Sequence, residues 1–118
     1  MTVFSYPIEV GDPDGQRYES IEALVDTGAS FSIIPEPILH ELGVTPSDRV
    51  RLELGDGRMI EFDVGHTWVR IDGRRTPDTV CFGHPGMDAI LGAHTLEGFL
   101  LAVDPAGRRL VPTHGFLL

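Results

Sequence analysis

An acidic residue closing an apolar run is the feature of this sequence best suited to chemistry. In Ala23-Leu24-Val25-Asp26-Thr27-Gly28-Ala29-Ser30, three apolar residues with strand character lead into Asp26, and the chain must then turn sharply at Gly28. This puts a carboxylate at the end of a buried strand, in a loop whose glycine lets backbone N–H groups come close to it. Backbone hydrogen bonds can hold such a group ionised, and Thr27 can bond locally to fix the loop. Taken alone, the same tripeptide also fits a β-turn aspartate that caps its own backbone. Downstream, Asp88-Ala89-Ile90-Leu91-Gly92 offers an apolar pair closed by a glycine and followed by a helical turn.

Other chemistries find little support. His40, His66, His84, His94 and His114 lack metal-ligand spacing, and Cys81 has no second cysteine beside it. Gly55-x-Gly57 lacks the third glycine of a dinucleotide loop, and the chain has no lysine to reach a phosphate. Ser30 and Ser32 have no Gly-x-Ser-x-Gly frame. The expectation is therefore no metal and no cofactor. Cys81 reads as a small buried strand residue, and a lone cysteine fits a reducing, cytoplasmic location.

The elements that must position Asp26 read as a single, mostly β domain over residues 1–118, in which short apolar runs alternate with Gly, Pro and Asp. Val3 to Val10 predicts a strand, closed by the turn Asp12-Pro13-Asp14-Gly15, and Tyr18 to Val25 returns antiparallel. Phe31 to Ile34 is a short strand. Pro35-Glu36-Pro37 opens a helix over Ile38 to Leu42, with Gly43 as its stop. Val50, Leu52 and Leu54 alternate with charged residues, as in a half-buried strand. Gly55-Asp56-Gly57-Arg58 then predicts a projecting hairpin with a type I′ turn at Asp-Gly, and Met59, Ile60 and Phe62 lead back. A long strand runs through Trp68, Val69 and Ile71 to a turn at Asp72-Gly73. Thr79 to Phe82 and Ala89 to Leu91 are further strands, Ala93 to Leu96 is a turn of helix, and Leu100 to Val103 with Leu110-Val111 close the sheet.

Val25-Asp26-Thr27-Gly28-Ala29, the intervening hairpin and the later Ile90-Leu91-Gly92 resemble the pepsin-like and retroviral-type (retropepsin-like) aspartic protease superfamily. The resemblance extends from about Tyr18 to Pro112. Leu96-Glu97-Gly98-Phe99, Leu101-Ala102-Val103-Asp104 and Leu110-Val111-Pro112 look like the closing section of its small bacterial members. It implies a closed, β-barrel-like acid protease fold with one or two short helices. The pepsin-like type carries two Asp-Thr-Gly loops in a much longer chain, and this chain has one. Aspartic protease chemistry needs two carboxylates sharing a proton, since like charges about 3 Å apart cannot both ionise. The resemblance thus implies a symmetric homodimer, with Asp26 facing its mate across the two-fold axis and a peptide or protein as substrate.

The same resemblance implies site roles. Asp26 is catalytic; Thr27, Gly28 and Ala29 support its loop; Ile90, Leu91 and Gly92 form the hydrophobic-glycine support. Gly55, Asp56, Gly57, Arg58 and Met59 form a substrate-covering flap, a segment that on sequence alone is equally a plain surface turn. Leu24, Met59, Ile60 and Ile90 are candidates for pocket walls and equally for core. Ala29, where a serine hydroxyl would otherwise donate near the carboxylate, implies activity at milder acidity. The apolar tail Phe116-Leu117-Leu118 fits either an intersubunit sheet or a strand docked on its own chain. Where retroviral enzymes follow Ile-Leu-Gly with Arg and then Asp or Asn, this chain has Ala93 and His94, so the loop must be braced differently. A rival reading is a protease-like dimeric module that binds or scaffolds peptides with little or no hydrolysis.

Charge narrows the partners. A net charge of -9, with nine Arg and no Lys, leaves no basic patch for nucleic acid or an anionic membrane. No apolar run approaches the ~20 residues that span a bilayer, and Met1 to Pro7 lacks the pattern of a signal peptide.

Overall fold

The computed structural model describes residues 4–117. Along the described chain the elements are β1 (Ser5–Gly11), β2 (Tyr18–Val25), β3 (Ser32–Pro35), α1 (Glu36–Glu41), β4 (Asp48–Glu53), β5 (Met59–Ile71), β6 (Arg74–Gly83), β7 (Ile90–Leu91), α2 (Ala93–Phe99), β8 (Leu101–Asp104) and β9 (Arg109–Pro112). The expected first strand is present from Ser5; its predicted start at Val3, and Met1 and Thr2 before it, lie outside the described residues, as does Leu118.

Local chemistry sets the turns. Between β1 and β2, Asp12 Oδ1 accepts the backbone N–H groups of Gln16 and Arg17 at 2.7 and 3.1 Å, and Gly15 takes φ +68°. The hairpin between β4 and β5 is not the predicted type I′ turn. There the Leu54 carbonyl accepts from Gly57 N at 2.9 Å, and within Asp56-Gly57 only Gly57 has positive φ, at +87°. This is the three-residue loop in which a left-handed glycine forms the bulge. Asp56 Oδ1 caps Arg58 N at 3.0 Å, which ties the loop in that form. The type I′ geometry occurs instead between β5 and β6, where Asp72 and Gly73 have φ +50° and +81° and the flanking pair is Ile71–Arg74.

Seven strands form one sheet in the order β1-β2-β7-β3-β6-β5-β4, and β1 also pairs with β5 through Glu9–Arg70 and Val10–Val69. Six strands therefore close into a ring, with β4 carried on the outer edge of β5. The predicted closing strands do not join it: β8 and β9 form their own two-stranded sheet, with Leu101 opposite Pro112. Both are only half-buried, and they pack on the core through Leu101, Val103 and Leu110.

Two apolar clusters fill the structure. The larger holds Ile8, Val10, Ala23, Val25, Ile34, Leu39, Val69, Val80, Leu91 and Phe99, drawn from most of the elements. The smaller holds Ile33, Phe62, Val64 and Cys81, with Leu52, Ile60, Met87 and Ile90 against it. The period-2 alternation of β4, with Val50 and Leu52 turned inward, directs its apolar side to this second cluster.

Candidate active site

The site is built where β2 ends and β7 is slotted in. β2 and β3 flank the Asp26 loop but do not pair; β7 lies between them, parallel to β2 (Leu24–Ile90, Val25–Leu91) and antiparallel to β3 (Ile33–Ile90). Asp26 N donates to the Leu91 carbonyl at 3.0 Å, which carries the β2–β7 ladder into the loop itself. Asp26 Oδ1 accepts Gly28 N–H at 2.9 Å, and Asp26 O accepts Ala29 N–H at 3.1 Å. A Cβ on Gly28 would stand 3.2 Å from Asp26 Oδ1, so the glycine leaves room for the carboxylate beside its N–H. Thr27 is exposed in this chain, and Asp26 is partly exposed.

The far side of the loop is sewn to the segment after β7. Ala93 N donates to Ala29 O at 2.7 Å and His94 N to Ser30 O at 2.9 Å. Gly92 N donates to Ser32 Oγ at 3.0 Å. Gly92 is buried against this loop so tightly that an added Cβ would collide with the Phe31 carbonyl and lie 2.9 Å from Ala29 O. The glycine ending Ile90-Leu91-Gly92 is thus required by close backbone approach.

Above the loop opens a cleft of about 270 Å³, lined by Asp26, Gly28, Ala29, Ser30, Ile33 and Ile90 on one side and by residues 52–55, Phe62 and Met87 on the other. Ile33 and Phe62 of the second apolar cluster, with Leu52, Met87 and Ile90 packed against it, supply its apolar lining. Of the sequence-predicted positions, Asp26, Gly28, Ala29, Ile90 and the hairpin's Gly55 meet at this cleft. Leu91 and Gly92 stand behind it as buried support. Asp56, Gly57, Arg58 and Met59 form the exposed hairpin tip and do not line it, and Arg58 Nε is bound to Asp56 Oδ2 at 2.7 Å. Leu24 and Ile60, candidate pocket walls, are half-buried and do not line the cleft; Ile60 packs against the second apolar cluster. Ile33, Leu52, Leu54, Phe62 and Met87 line the cleft without having been singled out as site residues. The alternation through Leu52 and Leu54 was the available signal for two of them. Among the described residues, no group of His, Cys, Asp or Glu is arranged to hold a metal ion, and no helix is long and apolar enough to cross a membrane.

The profile of the gag-polyprotein putative aspartyl protease family matches residues 15–98, well over half of the chain, and spans both the Asp26 loop and Gly92. The chain belongs to this family. Its fold is that of retropepsin-like aspartic proteases. The simian foamy virus (mac) protease is similar at a TM-score of 0.56 and 19% identity, covering 80% of this chain and 92% of that one. The retroviral protease-like domain of Ddi1 from Leishmania major is similar at a TM-score of 0.57 and 22% identity, over 95% of this chain and 89% of that one. The prototype foamy virus protease–reverse transcriptase matches all of this chain with 13% of its own, at a TM-score of 0.56 and 15% identity. No curated protein sequence matches the chain. Within this family fold, the ring of strands and the interposed β7 are the frame that holds the Asp-Thr-Gly loop.

Proposed function

We propose that the protein is an aspartic endopeptidase that acts as a symmetric homodimer, with Asp26 of each subunit contributing one carboxylate to a shared dyad. The observation that carries this reading is the setting of Asp26. It is a partly exposed acid at a cleft, in a loop whose Asp26 N–H bonds the Leu91 carbonyl of β7, and Asp-Thr-Gly occurs once in the sequence. One such loop supplies half of a two-carboxylate site.

In this mechanism the dyad binds one water and shares one proton. The ionised carboxylate takes a proton from the water as its oxygen attacks the peptide carbonyl carbon, and the protonated one donates to the carbonyl oxygen. The C–O bond forms, the tetrahedral species collapses, and the C–N bond breaks as the amine nitrogen receives a proton from the dyad. No acyl-enzyme intermediate is formed. The hairpin between β4 and β5 closes over an extended peptide, which binds by β-strand addition with apolar side chains against the floor formed by Ile33, Phe62 and Ile90. Thr27 braces the two loops, with Gly28 and Ala29 shaping them. The tail supports the dimer: Phe116 and Leu117 are 86% and 100% exposed on the isolated chain, so neither docks on its own core.

The test compares wild type with Asp26→Asn on a diverse peptide library from acidic to neutral pH, with sedimentation of both. The expected result is dimeric wild-type protein whose turnover is lost in the variant, by about 10²–10⁴-fold or to background. Cleavage surviving in the variant overturns the assignment. A dimer without turnover transfers the fold to a peptide-binding role.

A further inference from the structure

The bracing that Ala93 and His94 cannot supply in the retroviral manner is found in a buried polar chain. Gly92 N donates to Ser32 Oγ at 3.0 Å; Ser32 Oγ and Thr95 Oγ1 are 2.5 Å apart; Thr95 Oγ1 donates to Asp78 Oδ2 at 2.5 Å. Asp78 Oδ1 accepts Thr79 N–H at 3.0 Å and lies 3.6 Å from His94 Nε2. Ser32 and Thr95 are each 1% exposed and Asp78 is 6% exposed. No described buried side-chain polar atom lacks a partner.

Proton counting fixes the direction of this chain. Thr95 has one hydroxyl proton and gives it to Asp78, so the short contact with Ser32 is a donation from Ser32 to Thr95. Ser32 then accepts from Gly92 with its own oxygen. All three bonds point toward the Asp78 carboxylate. A proton on Oδ2 would reverse the Thr95 bond and turn Thr95 toward Ser32, leaving the Ser32 hydroxyl proton without an acceptor. The ordered chain therefore needs Asp78 Oδ2 as an acceptor.

We propose that Asp78 is a positioning residue for the Asp26 loop: its carboxylate orients the Thr95–Ser32 relay that ends on Gly92 N and so clamps the loop to the segment after β7. The clamp is direct, because Gly92 adjoins both Leu91, whose carbonyl receives Asp26 N–H, and Ala93, which bonds Ala29. Burial pushes Asp78 above the ordinary carboxylate range, opposed by the Thr95 bond, His94 and the Thr79 amide. On β5, Thr67 is opposite Asp78 and His66 Nδ1 lies 3.1 Å from the Thr79 hydroxyl; on α2, His94 Nε2 is the ring nitrogen near Oδ1 and Glu97 is exposed; on β3, Ser32 is reached through Thr95. Protonated His94 favours the ionised state, in which Oδ2 accepts from Thr95. The catalytic significance of the clamp rests on the role proposed for Asp26; the clamp itself does not.

The test uses NMR on the whole chain and needs no substrate. Asp78 carboxyl carbon and Gly92 amide shifts are followed against pH, together with amide exchange at Ala93 and His94. The two shifts are expected to titrate with one midpoint. In Ser32→Ala, Asp78 should still titrate while the Gly92 amide no longer follows it, and exchange at Ala93 and His94 should quicken by about tenfold or more. A Gly92 amide that stays flat through the Asp78 titration, or follows it equally in Ser32→Ala, overturns the proposal. Should Ser32→Ala fail to fold, the exposed His94→Gln variant decides. Both midpoints should then move together to higher pH, and movement of Asp78 alone overturns the relay. With peptide turnover in hand, the acid limb of kcat/KM should shift in the same direction in His94→Gln. Absence of turnover in wild type would defeat the peptidase reading and leave the relay result standing.

Discussion

The backbone N–H of Asp26 bonds the carbonyl of Leu91 at 3.0 Å, so the acid at the end of β2 is held by a strand contributed from much later in the chain. Because β7 is only two residues long, its hold depends on what fixes it from behind, namely full burial of Leu91 and the contact of Gly92 with the loop carbonyls.

Leu91→Ala should therefore destabilise the protein by about 2–5 kcal/mol, the usual range for emptying a fully buried leucine site. Urea denaturation with an unchanged m-value would check this. A loss under 1 kcal/mol would mean that β7 is not the anchor described.

Gly92→Ala tests a different force. The added methyl meets the Phe31 and Ala29 carbonyls, which are backbone and cannot swing aside. The expected cost is about 1–3 kcal/mol or more, with amide shifts changed through residues 26–32. Unchanged loop shifts and stability would contradict the close approach.

Cys81 is wholly buried, and burial pushes its thiol up to about 11. The thiolate is the reactive form, so an aromatic disulfide reagent at pH 8 should label the native protein only as fast as it opens, and label it at once in urea. Rapid labelling under native conditions would place the thiol elsewhere.

Asp78 makes a prediction about pH whose sign is opposite to that of a surface ion pair. Its folded-state value is raised, so the folded chain holds this proton more tightly than the unfolded chain. Its contribution to stability is complete below the ordinary carboxylate range and is lost as pH rises through the raised value. Relative to Asp78→Asn, wild type should lose stability across that window, whatever constant offset the amide introduces. Glu9, Asp12, Asp56 and Asp104 run the other way. Arginine partners or backbone N–H groups hold them below their usual range, so their small contributions are lost as pH falls. Denaturant titrations of the Asp78 pair at several pH values would check the slope, and a difference that moves in favour of wild type with rising pH would refute it.

The residues themselves determined the alternating strands, the turn chemistry at Asp12–Gly15, the acid of the Asp26 loop and the glycine that must follow Ile90-Leu91. These are local matters of side-chain periodicity and backbone freedom. Tertiary structure alone decided that β7 enters between β2 and β3, that β8 and β9 stand apart from the ring, and that the left-handed pair of a type I′ turn belongs to Asp72-Gly73 rather than Asp56-Gly57. It also brought Ser32, Asp78 and Thr95 together. Asp78 shares its strand parity with Val80 and Phe82, and that alternation marks it as inward-facing. Nothing local, however, reveals which hydroxyls will meet it, because a buried carboxylate is made tolerable by donors from strands and helices distant in sequence, and only the folded chain assembles them.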